Sequence, residues 1–140
     1  LQQAGQDIKT VYKEVKALFE KYKNKFIGVH LAGHNFAGFD LPFLKNMFEF
    51  CGDDLDKYVK YVYDTQFMAY MRSEEQENFK LGTCCKKEGV ELVNAHHALD
   101  DTIGNAKLFL KYVELLRGIG SMNTSQGFKQ SRFRETFELI

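Results

Sequence analysis

Ala95-His96-His97-Ala98-Leu99-Asp100-Asp101-Thr102 decides how this chain of 140 residues is read. A histidine stands five positions before an aspartate, with a small and an apolar residue between them. Apolar residues then recur at helical spacing: Leu99, Ile103, Ala106, Phe109, Leu110, Val113 and Leu116. The period predicts a helix over 98–117 that buries this stripe. Such a run can hold an imidazole on a loop and a carboxylate in the first helical turn, both facing one cleft. A second stretch answers it upstream: His34-Asn35-Phe36-Ala37-Gly38-Phe39-Asp40.

Working outward, residues 80–88 read as a short helix ending at Gly89, and 73–78 as a polar, acidic loop. Asp64-Thr65 can cap a helix over 66–72. Residues 58–63 alternate as a strand does. Gly52-Asp53-Asp54 is a turn that a short helix can follow. Residues 38–51 predict a helix with Pro42 in its first turn and Leu41, Leu44, Met47, Phe48 and Cys51 inward. Residues 26–32 predict a buried strand, with His30 as a core or sheet-face histidine. Ile8, Val11, Tyr12, Val15, Leu18, Phe19 and Tyr22 mark an amphipathic helix over 7–23. The order α-β-α-β-α-α fits an α/β domain with a mixed sheet. Two strands are too few for an independent sheet, so further amino-terminal strands are expected.

Composition bounds the function. The 44% apolar content, with 13 Phe and 7 Tyr, supports a globular core. Lys plus Arg equals Asp plus Glu at 19 each, which argues against holding nucleic acid by bulk charge. No apolar run is long enough to span a membrane. Cys51, Cys84 and Cys85 suggest neither a disulfide framework nor a zinc site. They read as reduced thiols of an intracellular, cytoplasmic protein. The chain opens on Leu and carries Gly120-Ser121-Met122, features expected of a fragment or processed chain. Residues 118–140, with Arg132 and Arg134, read as a tail, a partner-binding extension or a solvated end.

Converging carboxylates suit hard divalent cations. Two such ions can clamp the attacking and leaving oxygens of a phosphodiester displacement. A histidine beside them, with an ordinary pKa of about 6.5, can take the proton of the attacking water.

At these residues a resemblance appears. His96-His97-Ala98-Leu99-Asp100-Asp101 resembles the third motif, H-x-A-x-x-D, of the DEDDh 3′–5′ exonucleases. That family, of ribonuclease H-like fold, includes the proofreading epsilon subunit of bacterial DNA polymerase III and RNase T. Asn35-Phe36-Ala37-Gly38-Phe39-Asp40, followed by Leu41-Pro42-Phe43-Leu44, is similar to the second motif. Asp64-Thr65 at a strand end fits the element between them. The motifs stand in the right order, about 60 residues apart. The likeness runs over residues 7–117.

The resemblance implies a magnesium- or manganese-dependent exonuclease acting at a nucleic acid 3′ end, single-stranded by preference. It implies His96 as the base that activates water. Asp101 matches a direct ligand of the first of two metal ions, and Asp40 a largely water-mediated ligand of the second. Asn35 and Phe39 are expected to orient the Asp40 loop, Phe36 and Phe39 to stack on bases or pack in the core, and His97 to be structural or substrate-facing, with all four as candidates for substrate contact. The first motif, Asp-x-Glu, is absent from these residues. The expected domain is therefore the carboxyl-terminal two-thirds of the fold over 1–117, inactive alone, with 118–140 as an extension toward a polymerase or nuclease partner. The second reading is a non-catalytic exonuclease-like module that binds nucleic acid or such a partner. In the third, Asp40 and Asp101 are simple helix caps and His96 a loop histidine.

Overall fold

The structure, a computed structural model, describes residues 5–72 and 75–121, with side chains as far as Gly118. Its elements are α1 (Ile8–Tyr22), β1 (Val29–Gly33), α2 (Asp40–Phe50), a 3-10 turn (Leu55–Lys57), β2 (Val59–Asp64), α3 (Thr65–Arg72), α4 (Leu81–Lys87) and α5 (Ala98–Ser121). The elements are those expected one by one, and three helices follow β2, one more than the order α-β-α-β-α-α counts. Among the described residues the sheet has two strands, β1 and β2, and they are parallel, consistent with the α/β ribonuclease H-like fold expected. The chain forms two compact units. One holds residues 1–31 and 36–63, the other 32–35 and 64–140.

In the first unit, Asp7 caps α1 by accepting the Thr10 N–H at 3.3 Å. Phe48 of α2 is fully buried. It meets Tyr12 edge-on at 5.0 Å, Phe19 at 5.8 Å and Tyr58 at 5.6 Å between ring centroids. Val29, Met47 and Leu55 complete this core. Asp53 accepts both the Tyr58 and Tyr12 hydroxyls at 2.7 Å. The two hydroxyls, Tyr58 foremost, hold its carboxyl well below the usual carboxylate range.

The first strand begins three residues later than the expected 26–32. Asn24 causes this: its side chain accepts the N–H groups of Phe26 and Ile27 at 2.9 and 3.2 Å. Asn24 and Gly28 also exchange two backbone hydrogen bonds. The tight turn so formed leaves Phe26 88% exposed instead of buried. His30 is the sheet-face histidine expected, its Nδ1 2.9 Å from the Tyr63 hydroxyl.

In the second unit, α3, α4 and α5 enclose Ala69, Cys84, Cys85, Leu108 and Tyr112. Here the structure corrects the expected stripe. Leu99, Ile103 and Leu110 are exposed, at 63%, 45% and 64%. The helix instead buries Gly104, Asn105, Leu108 and Tyr112. The inward face is the one with small and polar residues: a Cβ at Gly104 would collide with Leu92 Cδ1. Asn105 has a buried hydrogen-bond partner in Thr65. Close packing and polar satisfaction outrank summed hydrophobicity there. The helix also continues to Ser121, past the expected end at 117. The remainder of the expected tail, including Arg132 and Arg134, lies outside the described residues.

Two outcomes follow from this packing. Gly28 has φ +65°, and a Cβ there would meet the Tyr58 carbonyl oxygen at 3.0 Å. Gly28→Ala is expected to lower stability by about 1–3 kcal/mol in urea unfolding. Burial pushes the Cys84 thiol up and the Cys85 thiol to about 11, whereas Cys51 is only half-buried. Iodoacetamide at pH 8 should therefore label Cys51 in the folded protein and reach Cys84 and Cys85 only after unfolding, as read by peptide mass.

Candidate active site in the second unit

The carboxyl end of β1 enters the second unit at Ala32–Asn35. There a cleft of about 600 Å³ is lined by His34, Asn35, Gln66, Lys80, Lys86, His96 and Asp101, among others. That volume is ordinary for a small-ligand site.

Its floor is a polar network around Thr65, which is fully buried. The Thr65 Oγ1 lies 3.1 Å from the Gly33 carbonyl oxygen, 2.6 Å from Asn105 Oδ1 and 2.9 Å from His34 Nδ1. The other nitrogen of His34, Nε2, lies 2.7 Å from the Phe79 carbonyl oxygen. A carbonyl only accepts, so Nε2 carries the proton. In the neutral ring Nδ1 then accepts from Thr65; in the charged ring it donates to Thr65, whose own proton turns to Gly33 or Asn105. Gln66 Nε2 also donates to the Phe79 carbonyl, at 3.2 Å.

Asp64 ends β2 and caps α3. Its Oδ1 accepts the Gln66 N–H at 2.9 Å and the Asn35 N–H at 2.9 Å. Asn35 sits in the left-handed region at φ +52°. His96 is left-handed too, at φ +74°. Its N–H donates to Asp101 Oδ1 at 3.2 Å. Asp101 stands in the first turn of α5, where the helix dipole favours a carboxylate. His96 is exposed and Asp101 half-buried, both on the cleft. His97 is engaged elsewhere: its Nδ1 lies 3.2 Å from Asp100 Oδ2, which also accepts from Asn94 Nδ2 at 3.4 Å.

Asp40, Phe36 and Phe39 belong to the first unit. Asp40 is the exposed first residue of α2, and its carboxylate has no hydrogen bond among the described residues. The Phe36 carbonyl accepts the N–H groups of Phe39 and Leu41 at 3.3 and 2.9 Å and so forms the turn before α2. The exposed rings of Phe39 and Phe43 lie 5.7 Å apart.

Asp101 offers a carboxylate to a hard cation, but one is too few. Among the described residues no three His, Cys, Asp or Glu side chains are grouped to hold a metal ion. The fit to a divalent metal is thus partial. No helix among the described residues is long and apolar enough to cross a membrane.

Sequence reasoning quoted His34 and Thr65 without giving either a site role, and passed over Gln66, Lys80, Lys86 and Asn105. A signal existed for one of them: Asn105 stands four residues after Asp101 and so shares its helix face.

The model of the RNase T exonuclease family matches residues 3–109. Among curated proteins, the DNA polymerase III PolC-type of Bacillus cereus is 35% identical over 109 residues, covering 77% of this chain and 7% of that protein. The same protein from Caldanaerobacter subterraneus is 30% identical over 113 residues, covering 78% of this chain and 8% of its own. That of Staphylococcus aureus is 27% identical over 113 residues, covering 81% and 8%. The chain thus spans under a tenth of these relatives. No solved structure gives a significant match.

Thr65→Val is expected to cost about 1–3 kcal/mol, because it strips a buried donor from three polar neighbours. Thr65→Ser, which keeps the hydroxyl, should cost less; urea unfolding of both variants checks this.

Proposed function

We propose that the chain, which belongs to the RNase T exonuclease family, works as a metal-dependent 3′–5′ exonuclease on DNA or RNA. The observation that carries this is the pairing of His96 with Asp101 on one cleft, at the H-x-A-x-x-D spacing. In this reading His96 takes the proton of the water that attacks the terminal phosphodiester. Asp101 holds the His96 backbone and serves as a metal ligand, with Asp40 as a second. The bound Mg²⁺ or Mn²⁺ ions would neutralise the phosphate and stabilise the leaving oxygen. Asn35, Phe36, Phe39 and His97 are the residues assigned to substrate contact.

The other ligands are those of an Asp-x-Glu pair, which these 140 residues do not contain. Residues 1–117 supply part of an exonuclease domain and are inactive without that pair. The extension 118–140 is assigned to a polymerase or nuclease partner. The polymerase relatives make a proofreading role on DNA, in the cytoplasm, the favoured setting. A second reading is a non-catalytic exonuclease-like module that binds nucleic acid or such a partner.

One experiment separates them. In the polypeptide that the gene encodes, Mg²⁺-dependent release of nucleotides from a 5′-labelled oligonucleotide is followed by gel. Asp101→Asn keeps an oxygen for the His96 N–H and removes the charge, so it should abolish release without loss of fold. His96→Ala should slow release by about 10²–10⁴-fold. Full activity in Asp101→Asn overturns the exonuclease reading. A wild type that binds the oligonucleotide but releases nothing supports the module.

A further inference from the structure

The cleft carries two cations that the chemistry above does not use. Lys80 immediately precedes α4, and Lys86 lies near its end. The helix turns Cys84 and Cys85 into the core and leaves Gly82, Thr83 and Lys86 on the cleft. At about 1.5 Å per residue, the backbones of Lys80 and Lys86 are separated by about 9 Å along the helix. Both side chains are exposed, and among the described residues neither ammonium has an ion-pair partner. Glu77 lines the same cleft without pairing to either.

Lys80 is anchored in place. The preceding Phe79 carbonyl is gripped by His34 Nε2 and Gln66 Nε2, at 2.7 and 3.2 Å. The Lys80 N–H donates to Asn78 Oδ1 at 3.0 Å. The backbone beside the lysine is therefore tied to the end of β1 and the start of α3, the elements that form the cleft floor. A chain of zero net charge has no bulk field to hold a polyanion. Local cations must do it.

We propose that Lys80 and Lys86 form a cationic edge that holds the backbone phosphates of the substrate strand next to its 3′ end. His34 and Gln66 act as positioning residues through the Phe79 carbonyl. This rests on the exonuclease reading for the identity of the polyanion as a nucleic acid strand. An ammonium is a compact point charge that suits phosphate without reading a base, so the edge contributes affinity and not sequence preference.

The test uses the polypeptide that the gene encodes and a 5′-fluorescein 12-nucleotide oligothymidylate with a free 3′ hydroxyl. Binding is followed by fluorescence anisotropy in EDTA, where no turnover occurs, from 50 to 200 mM salt. Lys80→Met with Lys86→Met should weaken binding by about tenfold at low salt and make the salt slope shallower by about 1.4, two single-strand phosphate contacts. Lys→Arg at both positions keeps the charge and should restore affinity and slope. Asp101→Asn, measured beside them, removes a negative charge from the cleft and should bind at least as tightly as the wild type. An unchanged affinity and slope in the double Met variant overturns the cationic edge, as does a wild type that does not bind the strand. Loss of cleavage in Asp101→Asn with normal binding shows that the exonuclease reading stands whatever the lysines do. Where wild type and Asp101→Asn both fail to cleave, the binding arm still decides the lysines.

Discussion

One hydroxyl proton governs the geometry of the second unit. Thr65 Oγ1 lies within hydrogen-bond distance of the Gly33 carbonyl, Asn105 and His34, yet a threonine has only one proton to give. Water cannot reach a fully buried residue to settle the difference. The neighbours must therefore be donors and acceptors in the complementary sense. That requirement pins the end of β1, the start of α3 and the middle of α5 to one point. It also fixes the His34 ring, whose far nitrogen then holds the Phe79 carbonyl. The cleft inherits its floor from this network and not from the apolar core below it.

Above the floor the same device appears twice. Asn35 and His96 each hold a left-handed backbone, a conformation that costs a non-glycine residue on the order of 1 kcal/mol. Each gives its N–H to the carboxylate of an aspartate at a helix start, Asp64 for Asn35 and Asp101 for His96. The helix dipole favours a negative charge there, and a carboxylate oxygen is a strong acceptor for a backbone N–H. Strain in two loops is thus offset by two helix termini, and both strained residues line the cleft.

The sequence made the element order legible because strong local signals agreed: Pro42 in a first turn, Gly89 after a last one, alternation over 58–63. The H-x-A-x-x-D run was legible because its spacing is fixed by a loop and a helical turn. What failed has a common physical cause. Phe26 looked buried because it is apolar, but Asn24 folds the chain into a turn first. Leu99 and Leu110 looked inward because hydrophobicity alone ranks them above Gly104 and Asn105. The packing surface of α5 was chosen by closeness to Leu92 and by a buried hydrogen bond to Thr65. Neither is local in sequence, and no periodicity encodes them. The structural role of His34 was illegible for the same reason: both its partners lie more than 30 residues away.

The bond between His96 and Asp101 has a chemical consequence beyond holding a loop. Asp101 Oδ1 is occupied by the His96 N–H, while its other oxygen has no hydrogen-bond partner among the described residues. In the proposed roles, one carboxylate would face the backbone of the base with one oxygen and a cation with the other. A shift of Asp101 is felt by the His96 backbone, because the two are joined by a hydrogen bond. General-base catalysis depends on tight positioning of the base against the water it deprotonates. The Asp101 side chain ties the His96 loop to the first turn of a helix. A base carried on an unrelated loop would have needed its own supports.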